Sequence, residues 1–339
     1  MNIDGYKIEI EKTIERINKE NLKRILLQIP EGLKPSINKI SDYIKEKTEV
    51  DVFILADPCY GACDIPIFEN SGLKIDMIIQ IGHSEISDIY KGDIPIVFVN
   101  ALSDINVKND IIMIMEHLKG KKIGLVSTSQ HVHILKDVKK ILEEEKYQII
   151  IPKGDKRVKY DGQILGCNFS VAKKIDDWVD CFLYIGSGNF HPLGLLLSTK
   201  KPVVIYDPYI KQVKTKELEE LKEMILRQRY GAIARSKDAK TFGILIGTKT
   251  GQQRIKLALE LKEKIESKDK KVYLIFLDFF SAENLMGFRD IDCFISTACP
   301  RIAIDDYMRY KRPILTAVEL DILFGFKKWD DYVFDEIKN

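Results

Sequence analysis

Short apolar runs, each closed by turn residues, recur along this chain with helically spaced segments between them. In the first third they cover residues 24–29, 52–55, 77–81 and 96–99. Each has the length of a strand buried on both faces. Residues 33–47, between the first two, mix polar and apolar positions at helical spacing. Strands alternating with helices predict a parallel sheet covered on both sides. The middle third repeats the pattern at 123–126, 148–151, 182–185 and 203–206, and the last third at 242–246, 272–277, 294–296 and 314–316. Residues 211–228 carry Leu218, Leu221, Met224 and Ile225 at helical spacing and predict a connecting helix.

Equivalent runs share words. The third run of each set opens with Ile75-Asp76-Met77-Ile78, Val179-Asp180-Cys181-Phe182 and Ile291-Asp292-Cys293-Phe294. The fourth opens with Ile94-Pro95-Ile96-Val97, Lys201-Pro202-Val203-Val204 and Arg312-Pro313-Ile314-Leu315. A proline at the first residue of a strand costs no ladder hydrogen bond. The three aspartates are spaced by 104 and 112 positions, the three prolines by 107 and 111. A period of about 110 residues is the size of a domain, not of a solenoid repeat. The expected architecture is a triplicated α/β domain, divided at 1–104, 105–210 and 211–339.

Ligands of open parallel sheets bind beyond the carboxyl ends of the strands. The segments that follow the strands are therefore where chemistry is expected. They include Pro30-Glu31-Gly32, the stretch from Cys59 to Cys63, Gly82-His83-Ser84 and Thr128-Ser129-Gln130-His131. Further along come the stretch from Pro152 to Cys167, Gly186-Ser187-Gly188-Asn189-Phe190-His191, residues 247–252 and Thr297-Ala298-Cys299. Three such edges aimed at a common centre would each deliver one cysteine.

The six cysteines sort by surroundings. Cys181 and Cys293 lie inside apolar runs and read as core residues. Cys63, Cys167 and Cys299 sit in loops flanked by glycine or proline, where a thiolate can be reached. Cys59 is compatible with either reading. Three thiolates without a fourth suit an iron–sulfur cluster that leaves one iron open; a tetrathiolate zinc site that uses Cys59 stays open as well. Gly186-Ser187-Gly188 has the look of a phosphate-cradling loop, though it lacks a longer fingerprint. Arg301, beside Cys299, suits bidentate binding of a carboxylate, or an ion pair with Asp305 or Asp306.

Composition narrows the field. The chain has 339 residues, 45% of them hydrophobic, enough for two or three domains with real cores. A formal net charge of +2 gives no ground for a nucleic-acid or membrane partner. No signal peptide is read at the N-terminus and no apolar run reaches the roughly 18 residues of a membrane span. A soluble, cytoplasmic protein is expected, in which six cysteines point to metal ligation, catalysis or burial and not to a disulfide framework.

Taken together, Tyr60-Gly61-Ala62-Cys63-Asp64, Gly82-His83-Ser84, Leu165-Gly166-Cys167-Asn168, residues 186–194 and Ala298-Cys299-Pro300-Arg301 resemble the archaeal diphthamide-synthesis enzymes, the 2-(3-amino-3-carboxypropyl)histidine synthase family. The likeness runs nearly end to end. It implies three flavodoxin-like parallel-sheet domains from a triplication, arranged around a central [4Fe–4S] cluster held by Cys63, Cys167 and Cys299. It also implies a homodimer, S-adenosylmethionine as substrate, and a radical transfer of its 3-amino-3-carboxypropyl group. The acceptor would be the imidazole C2 of a histidine in translation elongation factor 2, with the electron coming from an external donor of unknown identity. Gly186, Ser187, Gly188, Gln130, His131 and Arg301 are the candidate cofactor contacts. Two rival readings are a dehydratase similar to quinolinate synthase and a zinc-stabilised binding module without catalysis.

Overall fold

The structure, a computed structural model, describes residues 1–66, 72, 74–87, 89–90 and 92–338. Among these, sixteen strands form four sheets. The first two strands, β1 (Asn2–Ile3) and β2 (Tyr6–Ile8), form a small antiparallel sheet with a later strand. The first parallel sheet uses β3 (Arg24–Gln28), β4 (Asp51–Ile54), β5 (Met77–Ile81) and β6 (Ile96–Val99) in the order β4-β3-β5-β6. The strand that completes the antiparallel sheet is β7 (Ala101–Ser103), beside β2.

The second parallel sheet runs β9-β8-β10-β11, from β8 (Lys122–Ser127), β9 (Gln148–Ile150), β10 (Cys181–Ile185) and β11 (Val203–Asp207). A short antiparallel strand, β12 (Gln212–Val213), adds to its edge. The third runs β14-β13-β15-β16, from β13 (Thr241–Gly247), β14 (Lys271–Leu277), β15 (Cys293–Ser296) and β16 (Ile314–Thr316). All three parallel sheets therefore share the order second-first-third-fourth. That order reverses direction between the first and third strands, and ligands of such sheets gather at this crevice.

The repeated words have a common task. Asp76 accepts hydrogen bonds from the backbone N–H groups of Lys23 (2.7 Å) and Arg24 (2.8 Å), where β3 begins. Asp180 does the same for Lys121 and Lys122 at the start of β8 (2.8 and 2.9 Å), and Asp292 for Lys240 and Thr241 at the start of β13 (2.9 and 3.0 Å). Each carboxylate so staples the third strand of its sheet to the first. The carbonyls of Pro95, Pro202 and Pro313 each accept from the third strand, at 2.8, 2.9 and 2.9 Å, and align the fourth strand beside it. The missing N–H of proline is never needed there.

Every residue of the inner strands β5, β10, β11 and β15 is buried, and so is every residue of β16 at the edge of the third sheet. The expectation of burial on both faces fails at β4 and β6, where most side chains are half-buried or exposed. Both are edge strands, each paired on one side only. β14 goes further, with Tyr273, Leu274 and Phe276 exposed on an unpaired sheet edge. The connecting helix also differs from the reading of 211–228: it spans Thr215–Arg235. Lys211 adopts a positive φ of 52° and Gln212–Val213 pairs with β11, which delays the helix start. The helix continues past Gln228 because Arg229 is fully buried against Glu319, with its Nη2 2.6 Å from Oε2, and Ala232 and Ile233 pack into the core of the third sheet.

Candidate metal centre

The loops at the carboxyl ends of the three parallel sheets bring Cys63, Cys167 and Cys299 together. Each thiol lies within electrostatic reach of another: Cys63 of Cys167, and Cys299 of both. Enclosure by neighbouring atoms pushes the Cys63 thiol up to about 12 and raises those of Cys167 and Cys299. Without a metal these groups hold their protons; metal binding displaces them. Among the described residues, no group of three His, Cys, Asp or Glu side chains has the closeness of a single-ion site.

Cys63 is set by contacts from two units. Gln28 and Gln80, paired in register at the ends of β3 and β5, form a buried chain: Gln80 Nε2 donates to Gln28 Oε1 (2.7 Å), and Gln28 Nε2 to the Asp64 carbonyl (2.6 Å). From the third unit, Lys249 pairs with the Asp64 carboxylate, and Gln252 Nε2 lies 3.5 Å from Cys63 Sγ. Gly251 between them is packed so tightly that an added Cβ would stand 2.4 Å from the Cys63 Cα. Only glycine fits there.

Cys167 and Cys299 approach through an aromatic–cation stack. A Cβ on Gly166 would lie 1.8 Å from the ring of Phe190, and the Arg301 guanidinium sits 3.7 Å over the other part of that contact, the Phe190 ring centroid. Arg301 also holds Asp305 with two bonds, Nε to Oδ2 at 2.7 Å and Nη2 to Oδ1 at 2.9 Å. The alternative of an ion pair within its own helix is therefore the one realised. Among the described residues its buried Nη1 meets no partner, nor do Nε and Nη2 of Arg157. Arg157, Arg254 and Arg301 all act on Cys167, and each favours its thiolate. Unpaired buried guanidinium nitrogens beside three thiols fit a missing anionic group, since such groups are costly to leave unmet.

Cys59 is placed differently. It is buried, and its Sγ lies 3.7 Å from both His83 Nδ1 and Gln80 Nε2. Its strongest charge neighbours are Asp64 and then Cys63. Cys181 and Cys293 are core residues of β10 and β15, as their apolar setting implied.

The other candidate residues lie in the segments that follow the strands. Gly186, with φ near +156°, and Gly188, at +71°, frame the exposed Ser187 ahead of the helix Phe190–Ser198. Gln130 commits its amide nitrogen to the Gly82 carbonyl at 2.7 Å. His131 is buried between Thr128 Oγ1 (3.1 Å) and Tyr209 Oη (3.2 Å). His191 senses Arg301, His83 and His131, and burial lowers all three imidazoles, His191 to about 3 and the others to about 4. Sequence reasoning missed Arg157, Arg254 and Tyr209. Arg157 lay inside a singled-out loop; the other two carried no local signal.

Comparison with known proteins gives the family. The family model described as "Putative diphthamide synthesis protein" matches residues 29–333. The 2-(3-amino-3-carboxypropyl)histidine synthase of Pyrococcus horikoshii is 35% identical over 333 residues, covering 98% of this chain and 93% of that protein. The protein of the same name from Methanocaldococcus jannaschii is 32% identical, covering 98% and 94%. The crystal structure of Dph2 from Pyrococcus horikoshii with a 4Fe-4S cluster superposes with a TM-score of 0.88 at 33% identity, covering 98% of this chain and 94% of that one. The order of the strands, the three converging thiols and these matches together place the chain in the diphthamide synthesis family of transferases.

Proposed function

We propose that Cys63, Cys167 and Cys299 hold a [4Fe–4S] cluster with one iron left open, and that the protein transfers the 3-amino-3-carboxypropyl group of S-adenosylmethionine to the imidazole C2 of a histidine in translation elongation factor 2. The observation that carries this reading is three thiols from three repeated units, coupled to one another beside unpaired buried guanidinium nitrogens. When bound, such a cluster supplies one electron for reductive cleavage of the sulfonium and an open iron on which the amino acid part can be held.

The chain's own residues then have definite tasks. Arg157, Arg254 and Arg301 offset the negative charge of three thiolates and of the cluster they bind. The free nitrogens of Arg157 and Arg301 can donate to sulfide or to the carboxylate of the cofactor. The Gly186–Gly188 backbone, His131 and Gln130 line the same strand ends and would shape the cofactor's seat. His83, His131 and His191 stay neutral near pH 7 because burial disfavours their charged forms. A homodimer is the proposed assembly, supported by the exposed Tyr273, Leu274 and Phe276 on the open β14 edge. An external electron donor is required. No described helix is long and apolar enough to cross a membrane.

The test is an anaerobic incubation with dithionite, S-adenosylmethionine labelled in its aminocarboxypropyl group, and elongation factor 2. Label on the factor together with methylthioadenosine is expected. An intact cluster with unlabelled factor would overturn the assignment, and uncleaved S-adenosylmethionine would point to the dehydratase reading.

A further inference from the structure

The C-terminal segment crosses from the third unit to the second and touches two of the three cysteine loops. Phe334 packs in the core of the second unit, edge to face with Phe169 at 5.6 Å between ring centroids. Glu336 accepts from the Phe169 backbone N–H (3.1 Å) and pairs with Lys173 (3.1 Å). Ile337 donates its N–H to the Cys167 carbonyl and accepts from Asn168 Nδ2, both at 3.0 Å. The backbone of Cys167 is thus held by the tail.

Asp335 reaches the opposite way. It binds Arg254 with two bonds, Nη1 to Oδ1 at 2.9 Å and Nη2 to Oδ2 at 2.8 Å, both groups nearly buried. The same guanidinium donates to the carbonyls of Thr297 (2.6 Å) and Ala298 (3.0 Å), the two residues before Cys299. Arg254 also ends the segment whose Lys249 and Gln252 grip Asp64 and Cys63. One continuous set of contacts therefore runs from the Cys63 loop through residues 249–254 to the Cys299 loop, and through residues 335–337 to Cys167.

We propose that residues 334–337 are a strap that sets the spacing of the three thiols, with Asp335 and Arg254 as its positioning pair. This rests on the cluster reading above. Both residues act through backbone carbonyls and charge pairing, and such outer partners of metal ligands carry about 10–100-fold in metal affinity. Loss of Asp335 leaves a buried guanidinium uncompensated, so it can swing away from the carbonyls it orients.

The experiment uses the full chain, reconstituted anaerobically with ferrous iron and sulfide, and follows bleaching of the cluster absorbance by a chelator. Asp335→Ala should lose its cluster at least about tenfold faster than the unaltered chain, and Asp335→Glu should recover most of that. Leu320→Ala, a change in the third-unit core that includes Cys293 but not Cys299, is the control for lowered stability. It should lower the melting temperature and leave the bleaching rate unchanged at temperatures where the apo chain is folded. Should Asp335→Ala fail to fold, Asp335→Asn keeps the shape and is read the same way. Equal rates for the Asp335 variants and the unaltered chain would overturn the strap, as would an equal acceleration by Leu320→Ala. An unaltered chain that takes up no iron–sulfur chromophore would instead overturn the cluster reading beneath it.

Discussion

The two ends of the parallel sheets follow opposite rules. At the amino ends the three units are alike: each has an aspartate stapling the third strand to the first and a proline carbonyl aligning the fourth. At the carboxyl ends they diverge. Cys63 and Cys167 follow the second strands of their units, through loops of very different length, whereas Cys299 follows a third strand. Repetition is kept where it supplies stability and abandoned where three copies must build one asymmetric centre.

The comparison breaks most visibly at the thiols. Cys63→Ala, Cys167→Ala and Cys299→Ala should each abolish stable uptake of iron and sulfide and reduce transfer to background. Cys59→Ala should retain the cluster, because its thiol faces His83 and Gln80. Iron and sulfide assays after anaerobic reconstitution check this. Full iron content in Cys299→Ala, or its loss in Cys59→Ala, would reassign the ligands.

Next in size is Gly251→Ala. The added methyl meets the Cys63 backbone, which cannot move without shifting the thiol. A loss of about tenfold or more in cluster retention is expected, by the same dependence on supporting contacts. The same change at Gly231, where nothing lies near the added atom, should leave retention unaltered.

These cases mark what was legible in the sequence. Continuous apolar runs revealed twelve strands within a residue or two, because both faces of the inner strands demand apolar side chains. The aspartate and proline words revealed the repeat because a fixed backbone task needs a fixed residue. The candidate site was legible only as far as its cysteines, the residues 186–188, and Gln130, His131 and Arg301. Arg254 and Asp335 meet across eighty-one positions and lie in no repeated word, so no local pattern announces them. The antiparallel β1–β2–β7 sheet was equally silent, its strands being too short to show a period.

A smaller effect tests the amino ends. Asp292→Ala removes a carboxylate that accepts two backbone N–H groups at the amino end of the third sheet. It should lower the melting temperature by a few degrees and leave iron content and the transfer rate per cluster unchanged. Asp76→Ala should behave alike if the units are equivalent at this end. A change in cluster retention in either variant would mean that the two ends are coupled after all.

Acid should separate the ends by pH, with the smallest signal. His83 and His131 are held down to about 4 by burial, against an ordinary value of 6.5. The unfolded chain then binds more protons than the folded one below 6.5, so their contribution to stability is complete above 6.5 and drains away as pH falls toward 4. Asp180 and Asp292 are held below the ordinary 3.8, chiefly by their backbone N–H donors. Their contribution is complete above 3.8 and is lost only as pH falls further, through the folded values. Stability of the apo chain measured from pH 7 to 3 should therefore fall in two stages, the carboxyl-end imidazoles first and the amino-end carboxylates last. His83→Gln should flatten the first stage and spare the second, while Asp292→Asn should do the reverse. If His83→Gln leaves the slope between pH 6.5 and 4 as steep as before, the buried His83 imidazole does not drive the first stage.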